Sequence, residues 1–133
     1  PIHSLAARNI VNVMNSLNIS RYIVITGLSI DISTDKKSFK TKLLSKIMKL
    51  SFPGIIADKQ NEYSILSESN LDWTLVRIPL LEQTGSKGQL ITSLNDCPGK
   101  KISSTDLANF LIDQLSDESY FRKSPFVANA VSK

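Results

Sequence analysis

A chain of 133 residues with an apolar fraction of 41% and a charged fraction of 21% has the make-up of one ordinary globular domain with a real core. No apolar run approaches the ~20 residues that cross a bilayer, and no signal-peptide pattern opens the chain. The formal charge of +4 permits a nucleic-acid partner without requiring one, and a single histidine, His3, argues against a His-rich metal site or a Ser-His-Asp triad.

The lone cysteine, Cys97, excludes an internal disulfide and fits a reducing, cytoplasmic compartment. Beside Pro98-Gly99 it reads as a loop thiol, not a nucleophile. Pro1-Ile2-His3-Ser4 leads directly into a helical pattern, without a methionine or a preceding strand. The expectation is a piece of a larger chain.

From Ser4, a plausible N-cap, the positions Ala6, Ile10, Val13, Met14 and Leu17 recur at helical spacing and predict one buried stripe. Asn18 ends the helix. Arg21 to Thr26 is then a β-branched run closed by Gly27, a helix feeding a strand through a short loop as in parallel sheets. Asp31 to Asp35 is polar loop.

Lys36 through Leu50 predicts a second amphipathic helix. Phe39, Leu43, Ile47 and Leu50 line its inner side, with Lys36, Lys37, Lys40, Lys42, Lys46 and Lys49 on the others. A phosphate-binding or membrane-surface helix is one reading. A solvated face with snorkelling lysine stems is the favoured one, and neither a membrane nor a nucleic acid is expected as partner.

Ser51 to Gly54 breaks this helix, and a third runs from about Ile55 to Ser69, with Ile55, Ile56, Tyr63 and Leu66 inward and Asp58, Lys59 and Glu62 toward solvent. After the corner at Ser69-Asn70, Trp73 to Ile78 reads as a buried strand that Pro79 stops, because proline lacks the ladder amide. In an open parallel sheet the loop leaving such a strand is where ligands sit. Glu82 to Gly99 is loop around a brief strand, Gln89 to Ser93. Gly85 to Gly88 lacks phosphate-loop spacing. Ser103 to Asp106 resembles a capping box that opens a helix bearing Leu107, Ala108, Leu111, Ile112 and Leu115. Pro125 to Asn129 closes the pattern as a short edge strand. The class is α/β, with three or four strands, too few for a complete doubly wound sheet.

Four runs carry a family resemblance: Arg21-Tyr-Ile-Val-Ile-Thr-Gly-Leu-Ser29, Asp58-Lys-Gln-Asn-Glu-Tyr63, Leu71-Asp-Trp-Thr-Leu-Val-Arg-Ile-Pro79 and Ile102-Ser-Ser-Thr-Asp-Leu-Ala108. In this order they resemble the second half of an atypical short-chain dehydrogenase/reductase, in the NAD(P)H-binding group that includes biliverdin/flavin reductase-like and NmrA-like proteins. The resemblance implies that residues 1–133 form a single, incomplete Rossmann-like domain, the nicotinamide and substrate side of a doubly wound parallel sheet. The amino-terminal Gly-rich βαβ half, which would cradle the pyrophosphate, is lacking.

It further implies a cofactor-binding set of Thr26, Gly27, Leu28 and Ser29 after the first strand and Ile78, Pro79, Leu80 and Leu81 after the second. Thr26 and Ser29 are the candidate catalytic hydroxyls, although ordinary turn chemistry explains both equally well. Gly27 falls where some relatives have the serine. The Tyr-x-x-x-Lys dyad common in such enzymes maps onto Gly54 and Asp58, neither of which does that work, with Lys59 one residue late.

The expected cofactor is NAD(P) in the intact protein, bound weakly or not at all by this chain alone, and no metal. The expected function is a reductase of a small organic or flavin/quinone-type acceptor. The alternatives are a non-catalytic dinucleotide-binding sensor or interaction protein, and a basic adaptor. Self-association, or pairing with the missing half, is expected to cover the open sheet edge.

Overall fold

The computed structural model describes residues 1–131. The elements are α1 (Ile2–Ser16), β1 (Arg21–Thr26), α2 (Phe39–Ser51), α3 (Pro53–Glu68), β2 (Asp72–Arg77), β3 (Leu80–Glu82), β4 (Leu90–Ser93), β5 (Lys101–Ser103), α4 (Ser104–Asp113) and β6 (Phe126–Asn129). The main sheet runs β1-β2-β6-β4. β1 and β2 pair in parallel from Arg21 opposite Asp72 to Thr26 opposite Arg77. β6 lies parallel beside β2, and β4 is antiparallel at the far edge. β3 and β5 form a separate parallel clip.

Both faces of β2 are covered, which is why its sequence is a continuous buried run with no alternation. Trp73 and Leu75 join Val11, Met14 and Leu66 under α1 and α3. Val76 joins Ile102, Leu107, Phe110 and Val127 under α4. Tyr63 meets the Trp73 ring edge-on with centroids 5.9 Å apart, the core role expected of it.

Several predicted faces are corrected. In α1 the buried stripe is Ser4, Ala7, Val11 and Met14, while Ala6, Ile10, Val13 and Leu17 face out. Small residues at positions 4 and 7 suit the helix-on-helix contact with α3, and an acid decides the register. The Asp58 carboxylate of α3 accepts from the backbone amides of His3 (2.8 Å) and Ser4 (3.1 Å) and from the Ser4 hydroxyl. Those amides belong to the first turn of α1 and have no partner within the helix. Ser4 is therefore not the N-cap; Asp58 caps from across the interface, and it is buried where solvent exposure was expected. Glu62, one turn on, is buried as well, whereas Ile55 is half exposed.

α2 is turned over relative to expectation. It begins at Phe39, with the Ser38 hydroxyl accepting from the Thr41 amide, and it buries Thr41 and Ser45. Phe39, Leu43, Ile47 and Leu50, expected inward, are exposed at 82%, 47%, 50% and 74%. The reason lies just before the helix. Lys37, expected at the surface, is buried and donates to the Leu28 (2.9 Å) and Ile30 (3.1 Å) carbonyls and to Asp31 (2.8 Å). Ser45 donates to the same Leu28 carbonyl at 3.1 Å. Polar groups inward leave the apolar row outward.

The carboxyl half also departs from the pattern. β3 and β5 are strands where loop was expected, and β6 is interior, with Phe126, Val127 and Ala128 fully buried because β4 covers its outer side. Ser103 caps α4 through the Asp106 amide at 3.1 Å, as the motif predicts. The Asp106 carboxylate turns elsewhere, to the Gly88 amide (2.9 Å) and the Asn129 side chain (2.7 Å), and Asn129 takes the Ser103 amide at 2.7 Å. Gly99 lies so close to β6 that an added Cβ would stand 2.4 Å from the Asn129 carbonyl oxygen.

The densest polar joint is Arg77, at the end of β2. Its side chain, 1% exposed, is bidentate to Asp35, with both bonds 2.8 Å. It also donates to the carbonyls of Ile30 (3.2 Å) and Ser124 (2.8 and 3.2 Å) and stacks 3.7 Å from the Phe126 ring centroid. Arg77→Ala removes the bidentate partner of Asp35, which keeps Lys37 at 3.8 Å, and is expected to cost about 3 kcal/mol of stability in urea titration.

The Asp58 cap gives a second expectation. The Ser4 hydroxyl, working against burial and helped by the His3 and Ser4 amides, holds this carboxyl below the usual range. An unfolded aspartate titrates near ~4. The stabilisation is therefore complete above that pH and is lost as pH falls through the lower folded value. Asp58→Asn is expected to flatten the acid-side fall in stability, measured by urea titration from about pH 6 to about pH 3.

Candidate cofactor and acceptor site

The Ile78 amide donates to the Thr26 carbonyl at 3.0 Å, so the parallel pairing of β1 and β2 carries one residue past the strands. The two exit loops, 26–29 and 78–81, consequently leave the sheet side by side. Between them opens a cleft of about 520 Å³. Gly27, Leu28 and Ser29 form one wall, Ile78, Pro79 and Leu80 the second, Leu44 and Met48 of α2 the third, and Ile56 and Lys59 of α3 the floor, with Lys100 at the rim. An adjoining cavity of about 490 Å³ shares Leu28, Leu44, Pro79 and Lys100 and extends to Lys40 and Cys97.

Six of the eight residues expected to contact cofactor therefore line the cleft: Gly27, Leu28, Ser29, Ile78, Pro79 and Leu80. Thr26 does not. It is the last β1 residue, 4% exposed, with its hydroxyl buried and unpartnered. Leu81 does not either, because strand alternation in β3 turns it away from Leu80. Ser29, 3% exposed, is the hydroxyl-bearing residue of the set that lines the cleft. At Gly27 an added Cβ would meet nothing within 4 Å, so the position has room for a side chain.

The dyad register is also revised. Asp58 points at α1, and it is the neighbouring Lys59 that lines the cleft, with Ile56 on the preceding turn. The helix presents a cation to the site and no phenol. Sequence counting placed Lys59 one residue late and toward solvent because α1 was not known to need an acid from α3. Leu44 and Met48, four residues apart on α2, carried a helical signal, hidden when their helix was assigned the opposite inner face.

The loops are held from below. Arg77 and Lys37 both bind the Ile30 carbonyl, and Lys37 and Ser45 both bind that of Leu28, which fixes Ser29 between two anchored peptides. Asp31 secures the other side: against the opposing effect of burial, Lys37 and Lys49 keep its carboxyl below the usual range. Burial pushes the Cys97 thiol up, and the thiol donates to the Gly99 carbonyl, so the loop cysteine offers no thiolate. Among the described residues no three His, Cys, Asp or Glu side chains gather as a metal site, and no helix is long and apolar enough to cross a membrane.

The five glycines are scattered, and among the described residues none has a positive φ.

The family model for NAD(P)H-binding proteins matches residues 2–118. None of the curated proteins matches the sequence. Among solved structures the chain is similar to ChuY from E. coli CFT073, with a TM-score of 0.79 and 21% identity, over 98% of this chain and 67% of that one. The anaerobillin reductase ChuY from Escherichia coli O157:H7 gives 0.79 and 21% over 100% of this chain and 61% of that one. A short-chain dehydrogenase/reductase from Veillonella parvula DSM 2008, in complex with NADP, gives 0.74 and 20% over 95% and 58%. A fourth, a putative NAD-dependent epimerase/dehydratase from Bacillus halodurans, is covered over 54% of its length. This chain thus spans about half to two thirds of these proteins, and the likeness is one of fold. By the family model, matched over most of its length, the chain belongs to the NAD(P)H-binding proteins, and its fold is Rossmann-like.

Proposed function

We propose that this chain is the nicotinamide- and acceptor-side part of an NAD(P)H-dependent oxidoreductase that reduces a small organic acceptor of the flavin or quinone type. The observation that carries the reading is the pair of exit loops, Gly27–Ser29 and Ile78–Leu80, meeting over one apolar cleft. The cofactor, when bound, supplies the hydride. Ile78 and Pro79 offer one ring face an apolar support. Ser29 donates or accepts one hydrogen bond at the opposite wall. The lining cations, Lys59 and Lys100, are the side chains able to pass a proton to an acceptor that has taken up hydride, and the aliphatic walls exclude water. Positioning, together with proton delivery, is what such a site contributes.

A second reading, a dinucleotide sensor without turnover, is favoured by one observation. No phenol lines the cleft, and Asp58 is committed to α1.

The outer edge of β1 has no neighbour among the described residues, and beside it Ile25, Ile112 and Leu115 expose apolar surface. We propose that this edge pairs with a further strand, from an amino-terminal nucleotide-binding half or from a second copy. The chain alone then binds NAD(P) weakly, because the pyrophosphate contacts lie in that other half.

On the full natural chain, NAD(P)H oxidation with a naphthoquinone or FMN selects the first reading. Cofactor binding without oxidation selects the second, and absence of binding sinks both. If the reductase reading holds, Ser29→Ala lowers kcat by about 10²-fold while leaving the melting curve in place. Gly27→Ser, entering open space, recovers part of that loss in the Ser29→Ala background.

A further inference from the structure

The outward row of α2 has a chemistry unlike the other exposed apolar surfaces. At 100° per residue, Phe39, Leu50 and Leu43 fall within about 40° of one another, directly opposite the buried Thr41 and Ser45. Phe39 is 82% exposed and Leu50 74%, and Phe52, the residue between α2 and α3, is half exposed as well. Lys42 and Lys46 flank the ridge on one side and Lys40 on the other. From residue 36 to residue 57 there is no aspartate or glutamate. Lys37, buried before the helix, and Lys49 are neutralised by Asp31, which leaves Lys40, Lys42 and Lys46 for the surface.

We propose that α2 docks this protein on an anionic lipid surface, with Phe39, Leu43 and Leu50 entering the acyl boundary and Lys40, Lys42 and Lys46 meeting lipid phosphates. An apolar ridge with lysines on both shoulders is the pattern of a helix lying in a membrane interface. The cores of protein–protein interfaces are depleted in lysine, so a second copy of the chain fits this surface less well. The polar groups of Lys37 and Ser45 hold the helix with its ridge outward, so docking needs no rearrangement of the fold. Leu44 and Met48, which line the cleft, lie on the far side of the same helix from the ridge, so docking leaves them unengaged by lipid.

The test is co-sedimentation of the full natural chain with vesicles of phosphatidylglycerol and phosphatidylcholine in equal parts, against vesicles of phosphatidylcholine alone. Binding to the anionic vesicles at least about ten-fold tighter is expected, falling about five-fold for each of Lys40, Lys42 and Lys46 changed to Gln. The Phe39→Ser/Leu43→Ser/Leu50→Ser variant, altered only at exposed positions, is expected to keep its melting curve and lose binding to both vesicle types. Three results overturn the proposal: no binding to anionic vesicles, equal binding by that apolar variant, or a dimer in sedimentation velocity that the same variant dissociates. NAD(P)H turnover is read separately, so failure here leaves the oxidoreductase reading standing.

Discussion

The architecture of this chain turns on a guanidinium with almost no access to water. Arg77 closes β2, and to reach it the chain must bring Asp35 from the loop after β1, the Ile30 carbonyl from the same loop and the Ser124 carbonyl from the approach to β6. Taking an ion pair out of water is costly, and the attraction offsets that cost only where the remaining donors are satisfied. Here the guanidinium has carbonyl and carboxylate partners on each side and an aromatic face beneath. One residue thus ties the ends of β1 and β2 to the start of β6, and the cleft lies beside the exit loops of the first two.

α3 shows how one helix divides its loyalties. Asp58 faces sideways to finish α1, Lys59 faces the cleft, and Leu66 faces the core, all within three turns. Further along the chain, Arg122, with a positive φ of 58°, donates to the Ser67, Ser69 and Leu71 carbonyls where α3 ends. The helix's own Asp58 ties it to α1 near one end and Arg122 ties the other, so it cannot slide without breaking a joint.

What the sequence disclosed and what it hid follow from the same physics. β-branched or continuously apolar runs bounded by Gly27 and Pro79 located β1 and β2, because strand burial and proline's missing amide are local properties, whereas the pairing of their exit loops came from the family resemblance. The faces of α1 and α2 were not legible. Each depends on a long-range polar contact, Asp58 reaching back 54 residues to Ser4, and Lys37 and Ser45 reaching the loop of Leu28, which outweighs the apolar count along the helix. β5 and the interior place of β6 were hidden because three- and four-residue strands carry too little periodicity to declare their neighbours. At the site, the backbone loops were readable and the side chain facing them from α3 was not, since a one-residue shift rotates a helix by about 100°.

The clip formed by β3 and β5 bears on how firmly each side of this cleft is held. Only Ile78 and Pro79 separate β2 from β3, so the wall they form is tied to one sheet below and another above. Proline's fixed φ removes most of the freedom left in that dipeptide. The wall carrying Leu44 and Met48 belongs to no sheet, and α2 is fastened near its ends and by a single hydroxyl at its middle. One side of the cleft is therefore stitched into two sheets, while the side facing it hangs on a helix held by few polar ties.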